Sequence, residues 1–296
     1  MKIFLDTAEL DEIKLADSWG VIDGVTTNPS LIRKAVEARK NLTIEDYIRE
    51  IVQTVSGPVS LEVIALTAHD MRNQAQILYD KFSSYGDIAI KIPINTSTGQ
   101  DVGDFEGIQV IQELAEVGIP INVTLVMTPE QALLAAKAGA TYVSPFVGRI
   151  DDYIRTNLGL TRGTDFQKTD YYEASIVSEI LESKILSSVP EETALSPSFI
   201  RTIHQDSQKG NDNGVWSGID LVQKILTIYD QYDYSTEVIG ASIRNIQHVR
   251  ELAEIGTHIA TIPFTLVLAM IQHPKTREGI LGFTADIVPE YERLFK

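Results

Sequence analysis

Eight short apolar runs, at 2–5, 24–26, 59–64, 88–92, 120–126, 142–146, 237–242 and 258–262, recur along a chain of 296 residues. Several are continuously apolar, as expected when both faces of a parallel sheet are covered. Between most of them lie stretches of helical period, at 9–18, 44–55, 68–82, 105–117, 130–137, 218–229 and 246–255. Eight alternating β and α units with no Gly-rich dinucleotide turn predict an α/β fold, a closed (β/α)8 TIM barrel rather than an open doubly wound sheet. The length suits a single barrel domain over 1–296, because such barrels run to about 250 residues and more with insertions.

One spacing departs from the pattern. About ninety residues separate strands six and seven, where a βα unit of a barrel averages roughly thirty. The surplus lies at about 156–214. Within it Ile176, Val177, Ile180 and Leu181 mark an amphipathic helix, 197–204 a shorter one, and Gly210-Asn211-Asp212-Asn213-Gly214 a turn. The insertion comes after strand six on the face where barrels keep their chemistry, so a lid, an interface element and plain decoration all stay open.

The formal net charge of −16 argues against nucleic acid or an anionic membrane as partner. An acidic chain that binds an anionic small molecule must gather its few arginines at one place, which makes the positions of Arg149 and Arg244 informative. No apolar run approaches the ~18 residues that span a bilayer, and the apolar start at Met1 is too short for a signal-peptide core, so a cytoplasmic protein is expected. With no cysteine there is neither disulfide nor thiol chemistry. His69, His204, His248, His258 and His273 show no metal-ligand spacing, so neither metal nor cofactor is expected, and His258 reads as a satisfied core residue. Lys14, Arg33, Lys34 and Arg39 read as solvated helix charges.

Lys91 stands out within Asp87-Ile88-Ala89-Ile90-Lys91-Ile92-Pro93-Ile94, an ammonium in a run that otherwise reads as a buried strand. Burial lowers an amine pKa by up to about 3 to 5 units, which frees some amine for attack on a carbonyl. A lysine whose stem lies along the strand while its head reaches water is the bland alternative. The ends of the other strands supply its company: Asp6, Thr26 with Asn28, Glu62, Asn122 with Thr124, Ser144 to Arg149, and Ser242 with Arg244. Barrel active sites are assembled from such positions. Thr26, Asn28 and Ser144 also suit ordinary caps and strand-end hydrogen bonds. Asp6, Glu62 and Lys91 do not, since three ionisable groups at one mouth are costly unless paired or used.

Six blocks together resemble the transaldolase family, which also contains the fructose-6-phosphate aldolases. They are Phe4-Leu5-Asp6-Thr7-Ala8, Gly24-Val25-Thr26-Thr27-Asn28-Pro29-Ser30, Lys91-Ile92-Pro93, Asn122-Val123-Thr124-Leu125, Ser144-Pro145-Phe146-Val147-Gly148-Arg149 and Gly240-Ala241-Ser242-Ile243-Arg244-Asn245. The resemblance covers nearly everything outside the insertion. It implies that Lys91 forms a Schiff base with C2 of a ketose phosphate and that Asp6 takes the C4 hydroxyl proton as the C3–C4 bond breaks. It further implies that Glu62 and Thr124 order a water for proton shuttling, that Asn28 and Ser144, with Thr26 nearby, hold the dihydroxyacetone unit, and that Arg149, Ser242 and Arg244 bind phosphate.

Two positions divide the family. Fructose-6-phosphate aldolases typically carry tyrosine at Phe146 and glutamine at Glu62, so this chain resembles the transaldolase branch, in which transfer outruns release. The long stretch after Arg149 and Ile243, where phenylalanine is common, depart from the family pattern. A sulfonated sugar could use the same arginines, which keeps a sulfosugar transaldolase open beside a fructose-6-phosphate aldolase. A sugar-phosphate sensor without catalysis is the alternative from another class, although a binder has no use for a desolvated lysine. Ile287, Val288, Tyr291, Leu294 and Phe295 share one helical face that packs on the barrel or across a subunit boundary, and a homo-oligomer is expected.

Overall fold

A computed structural model of the chain describes residues 1–37, 43–99, 103–187 and 197–296. Eight strands close a parallel barrel in sequence order: β1 (Lys2–Asp6), β2 (Gly24–Thr26), β3 (Val59–Glu62), β4 (Ile88–Pro93), β5 (Ile121–Val126), β6 (Tyr142–Pro145), β7 (Glu237–Gly240) and β8 (Ile259–Ile262). The barrel closes where Lys2 to Leu5 pair with Ile259 to Ile262. Every predicted strand is present, and the boundaries differ by at most two residues.

Side chains alternate across each strand, and that alternation places the chemistry. Leu5, Val25, Leu61, Ile90, Ile92, Val123, Val143 and Ile262 join the apolar shell between sheet and helices. Their neighbours Asp6, Thr26, Glu62, Lys91, Asn122, Thr124, Ser144 and Thr261 therefore face the barrel interior. Below them Phe4, Ile239 and Ile259, with Tyr142 packed alongside, close the interior at its N-terminal end. Register sets Lys91 beside Glu62 on one neighbouring strand and beside Asn122 on the other. In β5 the pairing shifts between Val123 and Val126, and Leu125 takes φ 61, a bulge directly after Thr124.

The predicted helices form at Leu10–Ser18, Ile44–Thr54, Ala68–Phe82, Glu106–Glu116, Pro129–Lys137, Gly218–Gln231 and Ile246–Glu254. Two more, Pro29–Glu37 and Val147–Asn157, lie outside the predicted set and start immediately after the Thr-Thr-Asn and Ser-Pro-Phe motifs. The insertion holds helices Ala174–Ser187 and Pro197–Lys209, which pack against each other, and a tight turn in which Asp212 bridges to Val215. His258 is satisfied as expected, its Nδ1 accepting from the Val238 amide at 3.0 Å. Lys14 pairs with Glu50 at 2.6 Å, whereas Arg39 lies outside the described residues.

The C-terminal expectation needs correction. Pro289 opens a short helix, Pro289–Glu292, and a 3-10 turn, Arg293–Phe295, comes after it, so the five apolar residues do not share one continuous helical face. Tyr291 and Phe295 meet edge to face with ring centroids 5.5 Å apart, and among the described residues all five stay between 47% and 76% exposed.

Candidate active site

A cavity of about 410 Å³ opens at the C-terminal ends of the strands, where barrels carry their chemistry. Nine of the eleven residues singled out from the sequence line it: Asp6, Thr26, Asn28, Lys91, Ser144, Phe146, Arg149, Ser242 and Arg244. Glu62 lines a neighbouring apolar groove instead, and Thr124 is buried beneath.

Lys91 is 7% exposed, so its head does not reach bulk water. Nor is it the isolated charge that its own strand suggests. Its Nζ lies 3.0 Å from Glu62 Oε2 and donates to the Thr27 carbonyl at 3.0 Å. The parallel register that sets Glu62 beside Lys91 explains the pairing.

Asp6 Oδ1 accepts from Thr26 Oγ1 at 2.9 Å, and Thr26 in turn contacts Thr261 Oγ1. Burial raises the Asp6 pKa above the usual carboxylate value, while the Lys91 charge, the Thr26 hydrogen bond and Lys168 work in the opposite direction. A second polar chain crosses the barrel from Ser144 Oγ to Asn122 Oδ1 at 2.6 Å and from Asn122 Nδ2 to Ser60 Oγ at 3.1 Å. Asn28 caps the helix Pro29–Glu37, its Oδ1 accepting from the Ser30 and Leu31 amides at 3.0 Å each. That leaves its amide group to donate into the cavity.

The side of the cavity that carries Arg149 and Arg244 is built by β6, β7 and the segments directly after them. Arg244 is buried, with Nη1 2.5 Å from Asp152 Oδ1. The charges are close but the N–H directions miss the carboxylate, so Nε and Nη1 have no hydrogen-bond acceptor among the described residues. Buried guanidinium donors left open in this way suit an incoming anion. A Cβ on Gly148 would collide with Arg244 Nε, which accounts for the glycine in the Ser-Pro-Phe-Val-Gly-Arg block. Ser242 has φ 59, a left-handed conformation unusual for serine and typical of functional turns. The Arg149 guanidinium lies 4.8 Å from the centroid of the Phe146 ring.

A single cavity thus unites a buried lysine, a carboxylate within its electrostatic reach and three arginines, Arg149, Arg162 and Arg244. A family model described as transaldolase/fructose-6-phosphate aldolase matches residues 3–183 and 195–296. The chain belongs to the transaldolase/fructose-6-phosphate aldolase family. Among its relatives are proteins named probable transaldolase from Chlorobium chlorochromatii, 40% identical over 289 residues, and from Chlorobaculum parvum, 39% identical over 289 residues. A further probable transaldolase, from Carboxydothermus hydrogenoformans, is 37% identical over 286 residues. In each case the match covers 97% of this chain and 97% of the relative. The chain is thus a transferase-type enzyme of the transaldolase family.

Sequence reasoning missed several residues of this transaldolase-family cavity. Lys34, read as a solvated helix charge, lines it, as do Arg162 and Lys168 from the insertion and Thr261 from β8. Thr261 was legible in principle as the polar interruption of Ala260-Thr261-Ile262. For Arg162 and Lys168 no spacing signal exists, because their place depends on how the insertion folds back. Among the described residues no cluster of His, Asp and Glu suits a metal ion, and no helix is long and apolar enough to cross a membrane.

Proposed function

We propose that this protein is a transaldolase that moves a dihydroxyacetone unit from a ketose phosphate, fructose 6-phosphate or sedoheptulose 7-phosphate, to an aldose phosphate through a Schiff base on Lys91. The observation that carries this reading is the Lys91 ammonium, buried and 3.0 Å from the Glu62 carboxylate, in the wall of the cavity that Asp6 and Arg244 also line. An ammonium must lose a proton before it attacks, and Glu62 is within reach to take it. Lys91 then adds to C2 and water leaves, with Glu62 and Thr124 ordering that water. The iminium accepts the electron pair of the C3–C4 bond as Asp6 removes the C4 hydroxyl proton. An aldose departs and a three-carbon enamine stays on Lys91 until an acceptor aldehyde takes it up.

Thr26 orients Asp6, Asn28 and Ser144 hold the hydroxyls of the three-carbon unit, and Arg149, Ser242 and Arg244 take the phosphate. The reading is tested by borohydride reduction with fructose 6-phosphate followed by intact mass, which should show a covalent sugar on Lys91. Repetition with a sulfonated ketose separates the sulfosugar alternative. A protein that binds the sugars and yields no adduct with either would be a sensor.

Neutralising an arginine should separate substrate classes. Arg244→Ala is expected to raise the Michaelis constant for phosphorylated donors roughly ten- to a hundredfold, since charge-assisted hydrogen bonds are worth about 1.5 to 3 kcal/mol. The constant for dihydroxyacetone should move far less. Equal constants for both substrates in variant and parent would put the phosphate elsewhere.

Phe146 sets the partition between transfer and release. Its ring lies under Arg149 and offers no hydroxyl to orient a water toward the enamine carbon, so an acceptor captures the intermediate first. Phe146→Tyr adds one oxygen at nearly constant volume, and free dihydroxyacetone should rise relative to sedoheptulose 7-phosphate when fructose 6-phosphate and erythrose 4-phosphate are supplied. An unchanged ratio leaves Phe146 as packing and the branch assignment without support.

The protein acts as a homo-oligomeric, cytoplasmic enzyme organised as one barrel domain, without cofactor and without nucleic-acid or membrane partners. The exposed apolar side chains of 280–295 support the oligomer, because Ile280, Leu281, Phe283, Leu294 and Phe295 are each more than 60% exposed among the described residues of one copy.

A further inference from the structure

Asp152 stands one turn beyond Arg149 in the helix Val147–Asn157 and faces three further guanidinium groups. Its Oδ1 lies 2.5 Å from Arg244 Nη1 and 3.6 Å from Arg155 Nη1, and its Oδ2 accepts from Arg162 Nη1 at 3.2 Å. One negative charge is thus set against three positive ones. Arg155 is occupied elsewhere: it is 4% exposed, donates to the Asp170 carbonyl at 2.8 Å and lies 4.5 Å from the Phe166 ring centroid. Arg162 and Arg244 instead line the cavity with Arg149.

The place of Arg162 is built. Its backbone bridges to Phe166 across a tight turn, in which the Gly163 amide donates to the Phe166 carbonyl at 2.7 Å and the Thr161 amide donates to Asp165 Oδ2 at 2.8 Å. Gly163 takes φ 91, which a residue with a Cβ rarely adopts. Phe166 is 7% exposed and seated on Arg155, so the turn is pinned to the same helix that carries Asp152. The Arg162 side chain stays 57% exposed and reaches the cavity from its rim. Arg149, Arg162 and Arg244 then bring three positive charges to the cavity wall against the one carboxylate of Asp152. An excess of two matches a phosphate dianion, whereas a sulfonate carries one negative charge and leaves the cluster unbalanced. Without Arg162 the excess would suit a monoanion.

We propose that Arg162, delivered by the insertion, is a specificity-determining residue: it is the third guanidinium of the anion position and tunes that position to a phosphate over a sulfonate. The proposal rests on the Schiff-base reading above and sharpens its substrate class. It also gives the long segment after Arg149 a part in recognition, since Asp152 holds Arg162 and Arg244 side by side through its two oxygens.

The test compares the half-saturating concentrations of fructose 6-phosphate and 6-deoxy-6-sulfofructose for borohydride trapping on the full-length protein, at about pH 8, where the phosphate is a dianion. Exposed charge pairs are individually weak, so the parent should favour the phosphate by about fivefold, and Arg162→Met should bring the ratio near one. Arg162→Lys, which returns the charge, should restore the preference. Below about pH 6 the phosphate becomes a monoanion, so the ratio of the parent should fall while that of Arg162→Met stays in place. A ratio of one in the parent, or an unchanged ratio in Arg162→Met because both sugars weaken alike, overturns the proposal. If neither sugar gives an adduct, the Schiff-base reading has failed by itself. Calorimetric titration of the same two sugars then supplies the ratio without chemistry, and equal affinities in the parent would overturn the role of Arg162 as well.

Discussion

Lys91→Ala is expected to abolish covalent trapping of ketose phosphates while the barrel stays folded. The site holds other amines, since Lys34 and Lys168 line the same cavity, but both are solvent-exposed, whereas Lys91 is buried at the centre of the polar layer. Only Lys91 has a carboxylate at 3.0 Å to relieve it of a proton and return it. Removing the ammonium leaves Glu62 without its partner, but Glu62 keeps 18% of its side-chain surface and borders an open groove, so the charge is not stranded. The fold cost should therefore stay well below the roughly 3 to 5 kcal/mol of a fully buried orphaned charge. Intact mass after reduction with fructose 6-phosphate, with peptide mapping, reads the result. A sugar attached to Lys34 or Lys168, with Lys91 unmodified, would end this mechanism.

The barrel was legible in the sequence because period and burial agree: the apolar residues of each strand build the shell between sheet and helices, and a run such as Ile88 to Ile92 leaves few other folds open. The polar ring at the barrel mouth was legible for the same reason in reverse. Asp6, Glu62, Lys91 and Thr124 interrupt apolar strands at inward positions, where only chemistry or pairing makes a polar group affordable. What stayed hidden depends on contacts between distant segments. The Glu62 partner of Lys91 arises from strand register, which sequence periodicity does not specify to one residue. Lys34 looked like any solvated helix charge, because a helix face is assigned by its neighbours, and here the neighbour is the cavity. Lys168 reaches the mouth only because Arg155 in one helix, and Asn245 and Glu251 at the cap and in the body of another, grip the insertion. The C-terminal segment deceived in another way: its apolar periodicity is real, but Pro289 divides it.

Asp6→Asn should keep imine formation and lose carbon–carbon cleavage. The substitution preserves shape and still accepts the Thr26 hydrogen bond, so substrate binding and attack by Lys91 continue. An amide, however, cannot take the C4 hydroxyl proton, and loss of a general base costs roughly 10²- to 10⁴-fold in rate. Transfer to an acceptor should drop by that factor while the borohydride adduct persists. Equal loss of both would place Asp6 in binding or folding instead. The pH dependence gives a second, independent reading. Burial raises the Asp6 pKa, so the acid limb of kcat/KM in the parent enzyme should lie above the ordinary carboxylate range of about 4, and the residual activity of Asp6→Asn should lack that limb. Stability should move in the opposite sense to activity. The folded state binds the Asp6 proton more tightly than the unfolded chain does, so raising the pH from the unfolded value through the folded one removes stability, and above that window the loss is complete. Asp6→Asn removes that penalty. The variant should melt at a higher temperature than the parent at pH 7, with the advantage shrinking as the pH falls toward about 4, where Asp6 is protonated in the folded protein. A variant that melts lower at pH 7, with the gap closing in acid, would mean that the charge of Asp6 stabilises the barrel through Lys91 more than its burial costs.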